Sequence, residues 1–532
     1  MSSFMKAGIA AAVGVAIGLA AVGTVHATTT RTPEVTPATQ HDTLPSLRGV
    51  MPRPDDFIKN SHAYPAHPLP FLSAPGNQAD GALQTAASGS FAPALGAGFD
   101  GVGQGFSGPQ GTFTVNSAPP DTNGAVGATQ YLQIVNSAFA VFDKSSKAVV
   151  YGPVPTNTLW KGFGGPCEAD NDGDAVVVYD KAQNRWVVSQ FAVTAAPYYQ
   201  CVAVSATSDA TGAWYRYAFP YGSVFPDYPK MGVWPDAYYE TFNMFNGNSF
   251  VGAKLCAYDR NAMLSGAAAT QQCFQLSSSY GGVLPADLDG STAPPAGSPN
   301  YMLNFTSNTL NLWRFHVDWA NSANTTLTGP ISIPVASFAA ACGGGTCIPQ
   351  AGTRQQLDSL ADRLMFRLAY RNFGDHESLV VSHSVKVGTS RKNPYSGVRW
   401  YEIRSPGTTP VVYQQSTFAP DGNYRWMGSV AMDKLGDMAL GYSVSSSSIH
   451  PAIRYTGRLA GDPLSTMQAE NSIIEGLGSQ SGNRLSRWGD YSAMTVDPVD
   501  DCTFWYTTEY LQNTGSFNWN TRIASFKFPG CQ

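Results

Sequence analysis

The sequence has few charged residues. Only 13% of its 532 residues are Asp, Glu, Lys or Arg, and the formal net charge is −5. It contains no run of lysine and arginine, whereas nucleic-acid binding relies on clustered positive charge. The composition therefore argues against a nucleic-acid partner.

Long apolar runs are also scarce. The one such run extends from residue 7 to about residue 22 behind Lys6, and Val25-His26-Ala27 follows it with the pattern of a signal-peptidase site. The pattern predicts a signal peptide over residues 1–27, with an uncleaved anchor as the alternative. We expect an exported protein, extracellular or periplasmic, with no membrane span after the signal is removed.

Several catalytic motifs are missing as well. The chain has no Gly-x-Ser-x-Gly elbow, no His-Glu-x-x-His helix and no glycine-rich phosphate loop. These absences argue against a serine hydrolase of the elbow type, a zinc protease and a nucleotide-binding enzyme.

Aromatic residues, glycine and proline are plentiful. The chain is 12% aromatic and holds 53 Gly and 36 Pro, a profile of many short strands joined by turns. Residues 28–110, rich in Pro, Ala and Gly, read as an extended or propeptide-like segment. From about residue 111 to residue 532, short bursts of β-branched and aromatic residues indicate one β domain.

A hairpin-like phrase recurs along this domain. Its copies have an apolar strand, a polar turn and a second strand; four are clear (172–193, 363–385, 425–444 and 487–510) and three are weaker (121–143, 229–243 and 300–317). The repetition of this phrase along the chain predicts an all-β fold, a seven-bladed β-propeller with an extended N-terminal segment. A two-sheet sandwich and a β-helix are the alternatives. In a propeller, the first strand of each copy lies next to the central axis.

Eight cysteines in an exported chain are most simply four disulfides. Pairing neighbours in sequence gives Cys167–Cys201, Cys256–Cys273, Cys342–Cys347 and Cys502–Cys531. Other connectivities stay open, because spacing alone does not fix them.

Some phrases resemble known proteins. PPDTNGAVG (119–127), GGPCEADNDGDAVVVYD (164–180), FPDYPKMGVWPDAYY (225–239) and the phrase at 487–510 look like those of secreted bacterial propeller-like proteins of unassigned function. That resemblance covers most of the chain from about residue 110 and implies a propeller and export, but no catalytic residues. A looser likeness to sialidase-type propellers rests on architecture, and their Ser-x-Asp-x-Gly-x-Thr-Trp box is absent here.

Three arginines are equally spaced. Arg363, Arg425 and Arg487 lie 62 residues apart, each opening a copy of the phrase. Equivalent positions of a propeller converge at one end of its channel, so the arginines are predicted to hold an anionic group of a ligand. The earlier copies carry Asp121, Asp172 and Lys230 at the matching position, and Lys230 is predicted to join the ligand site. Salt bridges between blades are the alternative role for the arginines.

Acid–base candidates accompany the arginines. Asp121, Asp172, Asp490 and Tyr491 are the predicted catalytic residues, because glycoside cleavage needs paired carboxyls and uronate elimination needs a base beside a cation. Trp488 is a candidate sugar-stacking platform, with packing between blades as the alternative.

One stretch resembles part of a calcium loop. Asp170, Asp172 and Asp174 alternate around Asn171 and Gly173, but the glutamate that completes an EF-hand is missing. An Asx-rich turn is the alternative. No other cofactor is indicated.

These features favour an exported, monomeric propeller that acts on or binds a polysaccharide or glycoconjugate, acidic if the arginines bind it, at its channel mouth. As an enzyme it would be a glycoside hydrolase or a polysaccharide lyase. A non-catalytic glycan- or protein-binding propeller at the cell surface is the alternative, because propellers support both roles.

Overall fold

The structure is a computed structural model, and it describes residues 32–52, 62–70, 79–89, 93–306, 308–388 and 394–532. The predicted signal peptide, residues 1–27, lies outside the described residues. Within those ranges, no helix has the length and apolarity needed to cross a bilayer.

Most of the chain forms seven consecutive antiparallel units of four strands, which we call blades 1 to 7. Blade 1 comprises Asn123–Val126, Gln130–Val135, Ala138–Asp143 and Val149–Pro155; blade 2 comprises Val176–Asp180, Arg185–Ala192, Tyr198–Ser205 and Trp214–Gly222. Blade 3 comprises Phe225–Val233, Tyr238–Asn246, Ser249–Tyr258 and Thr270–Gln275; blade 4 comprises Leu284–Asp289, Asn300–Thr306, Thr309–His316 and Thr326–Pro334. Blade 5 comprises Met365–Asn372, Glu377–Val387, Tyr395–Arg404 and Val411–Phe418; blade 6 comprises Tyr424–Met432, Met438–Ser446, Ile449–Arg458 and Asn471–Ile474.

Blade 7 takes its strands from both parts of the chain. Ala493–Val496, Phe504–Tyr510 and Asn520–Phe526 are followed by Leu95–Asp100 as the outer strand, in antiparallel register with Arg522 opposite Asp100. A strand from the N-terminal segment therefore completes the last blade, and this pairing ties the two ends of the propeller together.

The first strands form a closed ring. Each contacts the first strand of the next blade, and that of blade 7 contacts that of blade 1. This arrangement is a β-propeller, so the predicted all-β propeller fold is confirmed. The first strands read as apolar runs because both of their faces are buried, as in Val176–Asp180, where every residue is buried.

Aromatic side chains fill the space between neighbouring blades. Tyr455 of blade 6 stacks on Phe526 of blade 7 with ring centroids 4.1 Å apart. Blades bury their faces only against neighbours, so such contacts hold the ring together.

The N-terminal segment lines the edges of the blades. Glu34–Pro37 pairs with the outer strand of blade 3, Gln40–Leu44 with that of blade 2 and Leu83–Gln84 with that of blade 5. The remaining elements are short: strands His62–Ala63, Ser107–Gly108, Gly111–Thr112, Ser117–Ala118, Thr346–Ile348 and Leu357–Asp358; α-helices Gly165–Ala169 and Arg260–Leu264; and 3-10 turns Thr156–Trp160, Ser322–Asn324 and Ala341–Gly344.

One copy of the repeated phrase does not coincide with the first hairpin of its blade. The weak copy at 300–317 was aligned as the first hairpin of its unit, yet it covers the second and third strands of blade 4. The first strand is Leu284–Asp289, whose proline and two aspartates weaken its strand signal.

Four disulfides join the pairs Cys167–Cys201, Cys256–Cys273, Cys342–Cys347 and Cys502–Cys531, the neighbours in sequence paired above. No cysteine in the described ranges is free. Disulfides persist in oxidising compartments, so the four bridges fit an exported protein.

Candidate functional site

The candidate site lies at the end of the ring where the first strands begin, which we call the upper end. In five blades a non-glycine residue near the start of the first strand has left-handed backbone, with φ between 48° and 57°. These residues are Asp121, Asp174, Tyr228, Met427 and Asp490. Aspartate tolerates this conformation better than most residues. Residues strained in this way cluster at functional sites, so the outliers direct attention to this end.

A cavity of about 180 Å³ opens at the upper end. Its wall combines charged, aromatic and histidine side chains: His62, Tyr64, Pro65, His67, Asn171, Asp172, Asp174, Phe191, Val193, Phe225, Asp227, Tyr228, Leu360, Arg363, Arg487 and Asp490. The predicted residues Asp172, Asp490, Arg363 and Arg487 are therefore brought together.

Two of the aspartates share a hydrogen bond. Burial, together with the charges of Asp490 and Asp174, raises the pKa of Asp121 well above its ordinary value. Burial also raises the pKa of Asp174, to about 6, with a further contribution from Asp227. The interaction between the two carboxyls acts to raise the pKa of Asp121 and to lower that of Asp174. One proton held between two close carboxyls is the expected state, since both cannot ionise cheaply.

A buried lysine forms the floor. The Lys230 ammonium lies 3.6 Å from the ring centroid of Tyr228 and 3.7 Å from that of Tyr491, between the two rings. It donates a hydrogen bond to the carbonyl of Pro229 at 2.8 Å. Burial lowers the pKa of Lys230 to about 8, although nearby aspartates, first among them Asp174, act to raise it. Cation–π contact and these carboxylates together offset the cost of burying the charge.

This position corrects three sequence predictions. Lys230 was expected to bind ligand, and Asp121 and Tyr491 to act on it directly. All three are buried and none lines the cavity. Their influence on a ligand would be electrostatic.

Arg487 is a buried cation in the wall of the cavity. One of its terminal nitrogens pairs with Asp490, while its Nε and other terminal nitrogen have no partner among the described residues. Arg487 is 7% exposed and lines the cavity. Buried donors without a partner are rare in folded proteins, so these N–H groups point to a ligand or to water.

Arg363 is more fully engaged. Its Nε donates to Asp362 at 2.7 Å and one terminal nitrogen donates to the carbonyl of His67 at 3.1 Å. Its guanidinium also lies 4.5 Å from the ring centroid of Tyr228. Arg363 therefore contributes positive charge to the cavity while its donors hold the wall in place.

The third arginine does not join them, so the prediction of one pocket for all three is wrong. Arg425 is fully buried and donates to Asp421 at 2.7 Å and to Glu470 at 2.8 Å and 2.9 Å. These carboxylates belong to the loop before blade 6 and the residues before its outer strand. Arg425 thus forms ion pairs within its own blade and the loop before it, and not the salt bridges between blades that are the alternative in the sequence analysis.

Trp488 is also away from the cavity. Its ring lies 5.9 Å from that of Trp426, and its indole nitrogen donates to the Ser443 hydroxyl at 3.2 Å. It is fully buried, so it packs between blades and offers no face for a sugar.

The calcium-like stretch has its carboxylates turned to different partners. Asp172 accepts from the Val193 amide at 2.6 Å and the Thr194 hydroxyl at 2.9 Å, whereas Asp174 bonds to Asp121. Within the described residues, no three His, Cys, Asp or Glu side chains are grouped to hold a metal ion. Calcium binding through Asp170, Asp172 and Asp174 stays a prediction.

Sequence reasoning missed one part of the wall. His67 lies 3.5 Å from Asp227 through its Nδ1, and its ring packs against Phe225 and Phe245 with centroids 5.4 Å and 5.0 Å away. Donation from the His67 ring to the Asp227 carboxylate is the main cause of the raised pKa of His67. The cluster HAYPAHP (62–68) inside the Pro-rich segment was the only signal.

No protein-family model matches the chain, and no curated protein sequence matches it. Among solved structures, it is similar to the WD40 domain of SCAP from fission yeast, at 9% identity and a TM-score of 0.31 over 75% of this chain and 79% of that chain. It is also similar to a polysaccharide lyase of a new family, an ulvanlyase, at 12% identity and a TM-score of 0.28 over 80% and 81%.

A third similar structure is an exo-β-1,3-galactanase from Phanerochaete chrysosporium, at 10% identity and a TM-score of 0.28 over 81% of this chain and 96% of that chain. Likenesses of this size carry no argument about function. The fold assignment rests on the strand pairing within this chain.

Proposed function

We propose that the upper cavity binds one residue of an acidic glycan outside the cell, and that the protein is a carbohydrate-active hydrolase or lyase. The observation that carries the proposal is Arg487, nine-tenths buried on the cavity wall with two N–H groups that have no partner among the described residues. A guanidinium presents a planar fork of donors that matches a carboxylate or sulfate.

The size and lining of the cavity support a small, hydroxylated ligand. Pockets for drug-sized ligands measure about 300–1,000 Å³, so a cavity of about 180 Å³ suits a single sugar ring. Asp172, Asp227 and Asp490 offer acceptors for sugar hydroxyls, and Phe191 and Phe225 offer apolar surface. Arg363 adds positive charge for an acidic group.

The carboxyls could supply acid–base chemistry. A general acid needs to hold its proton at the working pH, and Asp174, whose pKa is raised to about 6, does so below about pH 6. In glycoside hydrolysis the second carboxyl lies about 5–10 Å from the first. Its partner would be Asp490 or Asp227, because Asp121 is within hydrogen-bond distance of Asp174 and too close. In a lyase, arginine would neutralise the uronate while a base removes the neighbouring proton.

The second candidate is a non-catalytic glycan receptor. The observation in its favour is the Asp121–Asp174 pair, in which two carboxyls of raised pKa interact with each other. In that case the pair would shape the charge of the pocket and perform no reaction.

The binding test compares matched ligands. We expect D-glucuronate to bind in calorimetric titration and D-glucose, which has no carboxylate, to bind at least about tenfold more weakly. Arg487→Ala should abolish the preference, whereas Arg48→Ala, a surface arginine paired with Asp209, should retain it. Equal binding of the two sugars, or of neither, would contradict the proposal.

A second test decides between enzyme and receptor. The protein is incubated with acidic and neutral polysaccharides, and reducing ends and the absorbance of 4,5-unsaturated uronate are followed. New reducing ends alone indicate a hydrolase, both signals indicate a lyase, and binding of glucuronate with neither signal indicates a receptor.

A further inference from the structure

A short piece of the N-terminal segment lies across the cavity. We call residues 62–69 the strap. At one side His62–Ala63 pairs in parallel with Ser117–Ala118, and the Tyr64 hydroxyl is 3.1 Å from that of Ser137 in blade 1. At the other side the Leu69 amide donates to Asp362, just before blade 5, at 2.9 Å. The strap therefore spans the upper end from blade 1 to blade 5.

The strap is part of the wall as well as a connection. Four of its residues line the cavity: His62, Tyr64, Pro65 and His67. The carbonyl of His67 accepts from Arg363, and its ring is bonded to Asp227. The strap thus holds the same side chains that form the binding wall.

Strands on both sides keep the strap in place. Gln40–Leu44 before it pairs with blade 2, and Leu83–Gln84 after it pairs with blade 5. Asp80 is bonded to Arg399 and to the Thr417 hydroxyl in a buried cluster. Lifting the strap would require breaking one of these pairings or the contacts of the strap itself.

The floor is closed among the described residues. Lys230 is 0% exposed, and the rings of Tyr228 and Tyr491 enclose its ammonium at 3.6 Å and 3.7 Å. Asp121 and Glu509 lie buried around them. A ligand can therefore enter the cavity but cannot continue down the channel.

From this geometry we infer that the cavity accepts only the end residue of an acidic glycan chain. An internal residue carries the chain at two positions and needs two openings, whereas an end residue needs one. The floor prevents the glycan chain from leaving downward through the channel, and the strap prevents it from leaving across the mouth of the cavity. The inference rests on the proposed function and narrows its substrate class to chain ends.

Oligogalacturonates of defined length test the inference without needing catalysis. Di-, tetra- and octagalacturonate are titrated into the full chain, and affinity is expressed per mole of oligosaccharide. End binding predicts a constant Kd, because each chain has one such end. Binding of any residue, whether end or internal, predicts an octamer about fourfold tighter than the dimer, since eight residues offer four times as many sites as two. That result would overturn the inference.

A variant of the strap tests its contribution separately from that of the floor. The double variant Pro65→Gly with His67→Gly removes two side chains from the cavity wall. The octamer should therefore bind to this variant more tightly than the dimer. His316→Ala, on an exposed edge of blade 4, is the matched histidine control and should keep the constant Kd. A constant Kd in the strap variant would remove the strap from the explanation.

The two proposals fail differently. If neither galacturonate nor any oligomer binds the unchanged protein, the proposed function itself is wrong. If all bind with affinity that increases with length, the acidic-glycan function holds and the restriction to chain ends is wrong. If Kd is constant, reduction of the reducing end with borohydride reports which end of the chain is bound.

Discussion

Two clusters of arginine and aspartate lie at opposite ends of the first strands, and they differ in how fully they are paired. At the upper end, Arg487 keeps two N–H groups without a partner. At the lower end, Arg367 donates to Asp287 at 2.9 Å, to Asp289, and to the Met494 carbonyl at 2.8 Å. The arginine of the lower cluster thus has its hydrogen-bond donors paired within the protein, whereas the arginine of the upper cluster has unpaired donors.

The pKa values follow the same division. Burial acts to raise the pKa of Asp289, but the charges of Arg367 and Lys181 outweigh it and lower the value to about 2. At the upper end the pKa of Asp174 is raised to about 6, because burial and neighbouring carboxylates outweigh Lys230. Each carboxylate of the lower cluster has a cationic partner, as expected of a tie between blades, whereas carboxyls outnumber cations around the cavity of the upper cluster.

The largest effect is expected from breaking the lower cluster. Arg367→Ala leaves Asp287 buried without its partner and Asp289 with Lys181 alone, and removing one member of a buried ion pair costs about 3–5 kcal/mol. We expect a much lower melting temperature. Arg48→Ala, an exposed pair, should change stability by less than about 1 kcal/mol. Equal losses in the two variants would show that the lower cluster is not a tie.

A disulfide away from both clusters tests whether lost stability alone impairs binding. Cys531→Ser opens the bond to Cys502 in blade 7, and native disulfides contribute about 2–5 kcal/mol. We expect a lower melting temperature, a retained fold and unchanged glucuronate affinity below the transition. Non-reducing peptide mapping of the unchanged protein should show the two cysteines linked. Loss of glucuronate binding in the folded variant would mean that a loss of stability is enough to weaken binding.

The upper cluster should respond in the opposite way. Arg487→Ala and Arg487→Lys should weaken glucuronate binding at least about tenfold, because lysine lacks the planar fork. The melting temperature should fall less than in Arg367→Ala, since fewer protein contacts are lost. If binding stays intact while the melting temperature falls sharply, Arg487 is a tie like Arg367 and the pocket hypothesis fails.

The smallest effect is a difference in pH dependence. The pKa of Asp174 rises from 3.8 to about 6 on folding, so the folded state holds the proton more tightly and the free energy of unfolding falls as pH rises through this window. The pKa of Asp289 falls to about 2, so its stabilising contribution is complete above 3.8 and is lost as pH falls towards 2.

Melting temperatures from pH 3 to pH 8 check these signs. Asp174→Asn should remove the decline between about pH 4 and pH 6 and stabilise the protein at pH 7, whereas Asp289→Asn should destabilise it there. Asp375→Asn, with its 83% exposed side chain, is the surface control. Destabilisation at pH 7 by Asp174→Asn would contradict the charge excess assigned to the upper cluster.

Much of the fold was predictable, because it depends on local patterns. Apolar runs such as Val176–Asp180 followed by polar turns reveal hairpins, and their repetition requires neighbours that bury both faces. The strand Leu284–Asp289 escaped notice, since its pattern is mixed. The edge strands of the N-terminal segment could not be predicted, because their partners lie more than a hundred residues away.

The sequence by itself determined the β-propeller class, the export-type cysteine pattern and the presence of an arginine in each of three repeats. Only the tertiary structure decided which arginines face the cavity. Arg425 precedes the left-handed residue Met427 by two positions, whereas Arg487 precedes Asp490 by three. A shift of one residue along extended chain turns a side chain to the opposite face, so equal spacing in sequence did not give equal positions in space. The strap that closes the cavity was likewise decided by long-range contacts, which leave no periodic trace in the sequence.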